Sequence, residues 1–250
     1  MTFPDPEFFK FFKPIPGAIG CGESVAIAWL AEQAPLEGLC IDIGTNAGRA
    51  ALSSAMGLER PIRGKKLFRT LHCVDPVFDL TNSHAVSQMH QKTVENIGWT
   101  WVKEPNFGDV VKSRIESASP LGQIVVQTHG LASMDALPML TGGGQKIAWV
   151  FVDADNHQYD LVHSECFLMK DRMVSGGIIA FHDFQNQYLD VERVYRELIS
   201  TGKFHEIGIP WQEINPWIAE HVKEWTPDNA SWHAHDQEHP HFVGALKYIG

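Results

Sequence analysis

At 250 residues the chain suits one large domain, and a composition 44% apolar and 10% aromatic is enough to bury a full core. Thirty acidic residues against twenty basic ones give a net charge of −10, which repels phosphate backbones and argues against a nucleic-acid partner. No apolar run reaches membrane-spanning length, no basic-then-apolar leader opens the chain, and the four cysteines form no C-x-x-C pair. A reduced, cytoplasmic protein without a membrane partner is therefore expected.

Residues 1–35 read as a helical N-terminal segment. Phe8, Phe9, Phe11 and Phe12 suit packing against a neighbour, and a helix is predicted from Ser24 to Gln33. A strand over Leu39 to Ile43 ends at Gly44, and a helix follows from Ala47 to Met56. The stretch from Gly57 to Arg69 reads as an inserted loop, with Arg60, Arg63, Lys65, Lys66 and Arg69 solvated. Next come a strand from Thr70 to Val74 ending at Asp75-Pro76, a helix from Ser83 to Ile97, and a strand from Ile124 to Val126. A helix from Met134 to Leu140 precedes the strand Ile147 to Val152, which ends at Asp153. A helix from Tyr159 to Met173 leads to the strand Ile178 to Phe181, which ends at His182-Asp183, and a helix from Leu189 to Thr201 follows.

The last part differs. Phe204 to Ile209 and Phe242 to Ile249 read as strands able to pair as an antiparallel hairpin, with no well-patterned helix between them. Residues 210–241 carry Trp211, Trp217, Trp225 and Trp232 together with His233, His235, His239 and His241. A connection that long is expected to be a lid or substrate loop, or else a subunit contact in a homo-oligomer. Continuous apolar strands alternating with helices imply a single α/β domain over 1–250. Its core is a doubly wound, mostly parallel seven-stranded sheet with an antiparallel C-terminal edge hairpin.

The polar residues that stand out lie at the carboxyl ends of these strands, the edge where open α/β sheets bind ligands. In Asp42-Ile43-Gly44-Thr45-Asn46-Ala47-Gly48, the glycines permit a tight turn and close ligand approach ahead of a helix N-terminus. A plain strand-to-helix turn would look the same. Asp75 can accept both hydroxyls of a ribose. A Gly-x-Gly-x-x-Gly pattern is absent, which disfavours a pyrophosphate site and a nicotinamide-dependent oxidoreductase. If their strands are neighbours, Asp153, His182 and Asp183 converge, either as ligands for a divalent cation (Mg2+ or a transition metal) or as helix caps.

The Asp42–Gly48 segment resembles motif I of class I S-adenosylmethionine-dependent methyltransferases. Leu131 to Pro138 resembles the adenine-side segment of catechol O-methyltransferase-like enzymes. Val150 to Asp155, Tyr159-Asp160 and Gly176 to Asp183 resemble the group that includes macrolide-sugar O-methyltransferases. The resemblance implies a Rossmann-like methyltransferase fold and S-adenosyl-L-methionine as cofactor. Asp42, Gly44, Thr45 and Gly48 would lie around the methionine moiety, Asp75 at the ribose and Ser133 at the adenine. Read without the resemblance, Ser133 is a helix cap.

In metal-dependent relatives the ligand positions match Asp153, His182 and Asp183. His182 stands where a carboxylate is usual, which bears on the identity of the metal. The general base in those relatives follows the first ligand by three or four residues. Here that gives Asn156, which cannot take a proton, and His157, which can; a surface histidine at a helix start is the plainer reading. The expected function is O-methylation of a small hydroxylated acceptor, a sugar or a phenol. The competing classes are a nicotinamide-dependent oxidoreductase and a non-catalytic scaffold that keeps the fold.

Overall fold

The computed structural model describes residues 8–12, 15, 19–79, 106–118, 122–153, 157–184, 189–221 and 243–250. Its centre is a seven-stranded sheet of order β3-β2-β1-β4-β5-β7-β6. The strands are β1 (Leu39–Ile43), β2 (Arg69–Val74), β3 (Ile124–His129), β4 (Ile147–Val152), β5 (Met173–Phe181), β6 (Phe204–Glu206) and β7 (Gly244–Tyr248). The first five run parallel, and β7 pairs antiparallel with both β5 and β6. This is the doubly wound sheet with an antiparallel C-terminal edge that the pattern of strands and helices predicts.

Side-chain alternation divides each central strand between two cores. Cys40, Leu71, Cys73, Trp149, Phe151 and Ile178 face one helical layer. That layer comprises α1 (Phe8–Phe12), α2 (Cys21–Glu32), α3 (Arg49–Glu59) and α4 (Phe107–Ala118). Ile41, Ile43, Val74, Val150, Val152 and Ile179 face the other, formed by α5 (Ser133–Thr141), α6 (Tyr159–Met169) and α7 (Leu189–Ser200). β4 is buried at every position, as a central strand covered on both faces must be.

Four local expectations change. Gly57 lies inside α3 rather than in a loop: a Cβ there would come within 2.1 Å of the Ala28 carbonyl oxygen, so glycine lets α2 and α3 pack backbone to backbone. Arg69 is buried rather than solvated; its guanidinium donates to the Pro35 carbonyl at 2.7 Å and meets Cys40 Sγ at 3.1 Å. The amphipathic helix α4 was not anticipated.

Finally, the expected loop begins as a helix, α8 (Trp211–His221), despite Pro216 in its interior. Trp211, Ile214, Trp217 and Ile218 fall on one face and pack against Val25 and Ala26 of α2, with Phe9 5.9 Å from Trp217. Tertiary burial of that stripe outweighs the proline. Trp225, Trp232 and the four histidines from His233 to His241 lie outside the described residues, as does the helix predicted from Ser83 to Ile97.

Candidate active site

The row of strand ends is aligned by backbone hydrogen bonds that continue one residue past each strand. The Asp75 amide donates to the His129 carbonyl at 3.1 Å, and the Gly44 amide to the Val74 carbonyl at 2.9 Å. The Asp153 amide then donates to the Ile43 carbonyl at 3.0 Å, and the His182 amide to the Val152 carbonyl at 3.0 Å. Asp75, Gly44, Asp153 and His182 therefore stand side by side across four parallel strands. β1 and β4, whose connections leave in opposite directions, meet in the middle of the row. That is the switch point where such sheets open a ligand crevice.

Asp42 occupies the inward end of β1 and is fully buried. Neither of its carboxylate oxygens has a hydrogen-bond partner among the described residues. Burial pushes its carboxyl up to about 8, offset in part by Thr45 and reinforced by the charges of Asp153 and Asp75. The offset is weak, because the Thr45 hydroxyl is committed to the Asp42 backbone carbonyl at 3.0 Å. A buried, unpartnered acid beside a glycine turn is costly in an empty protein and suits a site that receives a cationic ligand.

The turn itself is demanding. Gly44, Asn46 and Gly48 have φ of 75°, 51° and 96°, and a Cβ on Gly48 would lie 2.9 Å from Val111 Cγ1. Asp75 pins this turn: its Oδ2 accepts from the Asn46 amide at 2.8 Å, and its Oδ1 accepts from the Val77 amide at 2.9 Å. A carboxylate oxygen can accept more than one hydrogen bond, so the residue type suits ligand hydroxyls as well as the turn. Ser133 is buried and is the first residue of α5. Ala132 holds the cap position and no side chain caps the helix, so the helix-cap reading of Ser133 is wrong.

Asp153, His157, His182 and Asp183 crowd one point at the ends of β4 and β5. His157 Nε2 lies 2.8 Å from Asp183 Oδ2, and His182 Nδ1 lies 3.2 Å from both Asp153 Oδ1 and Asp183 Oδ2. The donor atoms of Asp153, His157 and Asp183 all fall within 4.8 Å of one another. Ligands about 2.0–2.6 Å from one cation lie within such distances of one another, so the two carboxylates fit a divalent ion with the His157 imidazole, or with His182 Nδ1 at 3.2 Å from each of them, as the third ligand.

Burial opposes charge on both histidines, but the facing carboxylates outweigh it. His157 is raised by Asp183 and Asp153, and His182 well above the ordinary histidine range by Asp153 and Glu23. Burial likewise opposes ionisation of Asp183, yet hydrogen bonds from His157 and His182 hold its carboxyl far below the usual carboxylate range.

Two acids escape sequence reasoning, Glu23 because it reads as a helix-start residue and Glu165 because it reads as one more position of a helix. Glu23, on α2, places Oε1 3.6 Å from His182 Nε2. Glu165 lies on the buried stripe Val162, Glu165, Cys166, Met169 of α6, with no hydrogen-bond partner among the described residues. Burial raises Glu165 to about 7, moderated by nearby Ser133 and His157.

Residues 41–184 match a family model described as a methyltransferase domain, which takes in the whole row of strand ends. The chain belongs to this methyltransferase family. The resemblance read from the motifs is thereby borne out, and the nicotinamide oxidoreductase is set aside. No curated protein sequence matches the chain.

The fold is shared with solved structures of low identity. An O-methyltransferase from Bacillus cereus in complex with SAH is 11% identical, covers 99% of this chain and 92% of its own, and superposes with a TM-score of 0.54. The O-methyltransferase NovP is 13% identical over 93% of this chain and 81% of its own, with a TM-score of 0.54. The O-methyltransferase TomG from Streptomyces achromogenes, in complex with SAM, is 12% identical over 98% and 90%, with a TM-score of 0.52. Among the described residues no helix is long and apolar enough to cross a membrane, and the four cysteines are buried and form no disulfide.

Proposed function

We propose that this methyltransferase moves the methyl group of S-adenosylmethionine to a hydroxyl of a small acceptor, a sugar or a phenol, beside a divalent cation. The observation that carries the reading is the strand-end row. An unpartnered buried acid (Asp42) and a turn-pinning acid (Asp75) stand on one side of the switch point, and the Asp153–His157–His182–Asp183 cluster stands on the other. The similarity in fold to O-methyltransferases supports it.

Asp42 and the Gly44–Gly48 turn would receive the methionine end, whose ammonium and sulfonium charges match a buried carboxylate. Asp75 would accept the ribose hydroxyls, and Ser133 would border the adenine. Bound at Asp153, His182 and Asp183, a cation would orient acceptor oxygens and ease loss of a hydroxyl proton. His182 is enclosed and can serve only as a ligand. His157 is the more open of the two, its side chain 15% exposed against 7% for His182, and can meet an acceptor. His157 would take the hydroxyl proton, and S-adenosylmethionine, held by Asp42, the Gly44–Gly48 turn and Asp75, would supply the methyl group and leave as S-adenosylhomocysteine.

Residues 1–250 form one domain in this reading. The test is transfer of labelled methyl from S-adenosylmethionine to catechols and to nucleotide sugars, with Mg2+, Mn2+ or EDTA. Transfer to oxygen that EDTA suppresses supports the full reading. Transfer that EDTA leaves untouched removes the cation, and transfer to nitrogen or carbon acceptors alone refutes O-methylation.

A further inference from the structure

His182 has a partner on each side, and the one behind it comes from a part of the chain outside the matched family region. Nδ1 faces Asp153 and Asp183, each at 3.2 Å, while Nε2 faces Glu23 Oε1 at 3.6 Å. Glu23 sits on α2, before residue 41 where the family match begins. Both side chains are enclosed, 7% exposed for His182 and 6% for Glu23. Glu23 is the third residue of α2, where its carboxylate caps the helix start, and that accounts for one of its oxygens while the other is turned to the imidazole. Its second oxygen, Oε2, accepts from the Gly20 amide at 2.9 Å, which fixes the rotamer and leaves Oε1 toward the imidazole.

We propose that Glu23 is a positioning residue for His182: its carboxylate pairs electrostatically with the Nε2 edge at 3.6 Å, favours the proton there, and so leaves Nδ1 toward Asp153 and Asp183. The proposal deepens the cation-assisted reading and rests on it for its purpose, though not for its geometry. An imidazole offers only one nitrogen lone pair when neutral, and the hydrogen bond at the far nitrogen decides which. A carboxylate behind Nε2 selects the tautomer whose Nδ1 is free to bind a cation, and it stiffens the ring and raises its basicity as a ligand. The N-terminal helix thereby reaches the centre of the site without touching acceptor or cofactor.

The test compares the wild-type chain with Glu23→Leu, which removes the carboxylate, and Glu23→Gln, which removes the charge and keeps a single amide oxygen for either Gly20 or the ring. Two readouts are taken: the nitrogen-bound Nε2 proton of His182 by NMR without metal, and Co2+ affinity from its visible spectrum. In Glu23→Leu the slowly exchanging Nε2 proton should disappear and Co2+ should bind about tenfold or more weakly, with Glu23→Gln in between. An Nε2 proton signal unchanged in Glu23→Leu overturns the proposal, even if thermal stability falls. If Glu23→Leu does not fold, the signal in Glu23→Gln decides, a shift with faster exchange supporting the role and no change refuting it. A wild-type chain that takes up no Co2+ refutes the cation-assisted reading, and the Nε2 signal then decides the role of Glu23 by itself.

Discussion

His157 and Asp183 meet side chain to side chain at 2.8 Å while both backbones lie in the left-handed region, with φ of 44° and 54°. Left-handed conformations cost a non-glycine residue on the order of 1 kcal/mol or more. Two such residues in direct contact at neighbouring strand ends are what a site held in shape by its surroundings would show. Replacing Asp183 by glycine should relieve the local backbone cost yet lose the bonds to His157 and His182. The account predicts a Gly variant that is folded but has lost methyl transfer by at least about 100-fold, measured as turnover with S-adenosylmethionine. Activity near wild type would remove this pair from the chemistry.

The Asp42 carboxyl, raised by burial to about 8, predicts a pH dependence with a definite sign. An ordinary aspartate titrates near 3.8, so between that value and about 8 the folded chain holds a proton that the unfolded chain has lost. Stability from this group is therefore present at low pH and declines as pH rises toward about 8. Asp42→Asn, a neutral mimic of the protonated acid, should melt higher than wild type at pH 8 while binding S-adenosylhomocysteine more weakly. Binding to wild type should release a proton near pH 7, seen in calorimetry as a heat that varies with buffer ionisation enthalpy. A buffer-independent heat would mean that Asp42 is already ionised.

Asp75 serves both the turn and the ligand, and two substitutions separate the roles. Asp75→Ala leaves the Asn46 and Val77 amides unsatisfied, at about 1–3 kcal/mol each, and should lower the melting temperature as well as affinity. Asp75→Asn keeps one acceptor oxygen and leaves one of the two amides facing its NH2, so it should lose less stability than Asp75→Ala and remain folded. It loses charge-assisted bonds to the ribose, so affinity for S-adenosylhomocysteine should still fall about tenfold or more.

Gly48→Ala should destabilise for two separable reasons. Its φ of 96° strains any side chain, and its Cβ would press on Val111 Cγ1 at 2.9 Å. A loss of about 2 kcal/mol is expected in urea unfolding. Adding Val111→Ala should leave the double variant less unstable than the sum of the two single losses, because it removes the contact but not the strain. Simple additivity would show that the contact does not matter.

Much of this was legible from residue order. Continuous apolar runs such as Ile147 to Val152 mark strands covered on both faces, and Asp42, Asp75, Asp153 and His182-Asp183 are polar precisely where those runs stop. The sheet edge then follows from topology, and with it the convergence of residues 29 apart in the chain such as Asp153 and His182. What was not legible depends on tertiary packing. Arg69 reads as a surface charge until its guanidinium meets the Pro35 carbonyl, and Gly57 reads as a loop residue until α2 crosses α3 at Ala28. Helix α8 is hidden by Pro216, which local propensity punishes and burial on α2 overrides. Locally Glu23 reads only as a helix-start residue bonded back to Gly20, because its other partner is a strand end more than 150 residues away in sequence.

The central claim, a cofactor cradle for S-adenosylmethionine at the β1–β4 switch point, is tested most directly by calorimetric titration of wild type and Asp75→Asn. S-adenosylhomocysteine and NAD serve as the two ligands. The account predicts one-to-one binding of S-adenosylhomocysteine to wild type, about tenfold or more weakened in Asp75→Asn, and no heat from NAD. Binding of NAD but not S-adenosylhomocysteine, or equal S-adenosylhomocysteine affinity in a folded Asp75→Asn variant, would contradict it.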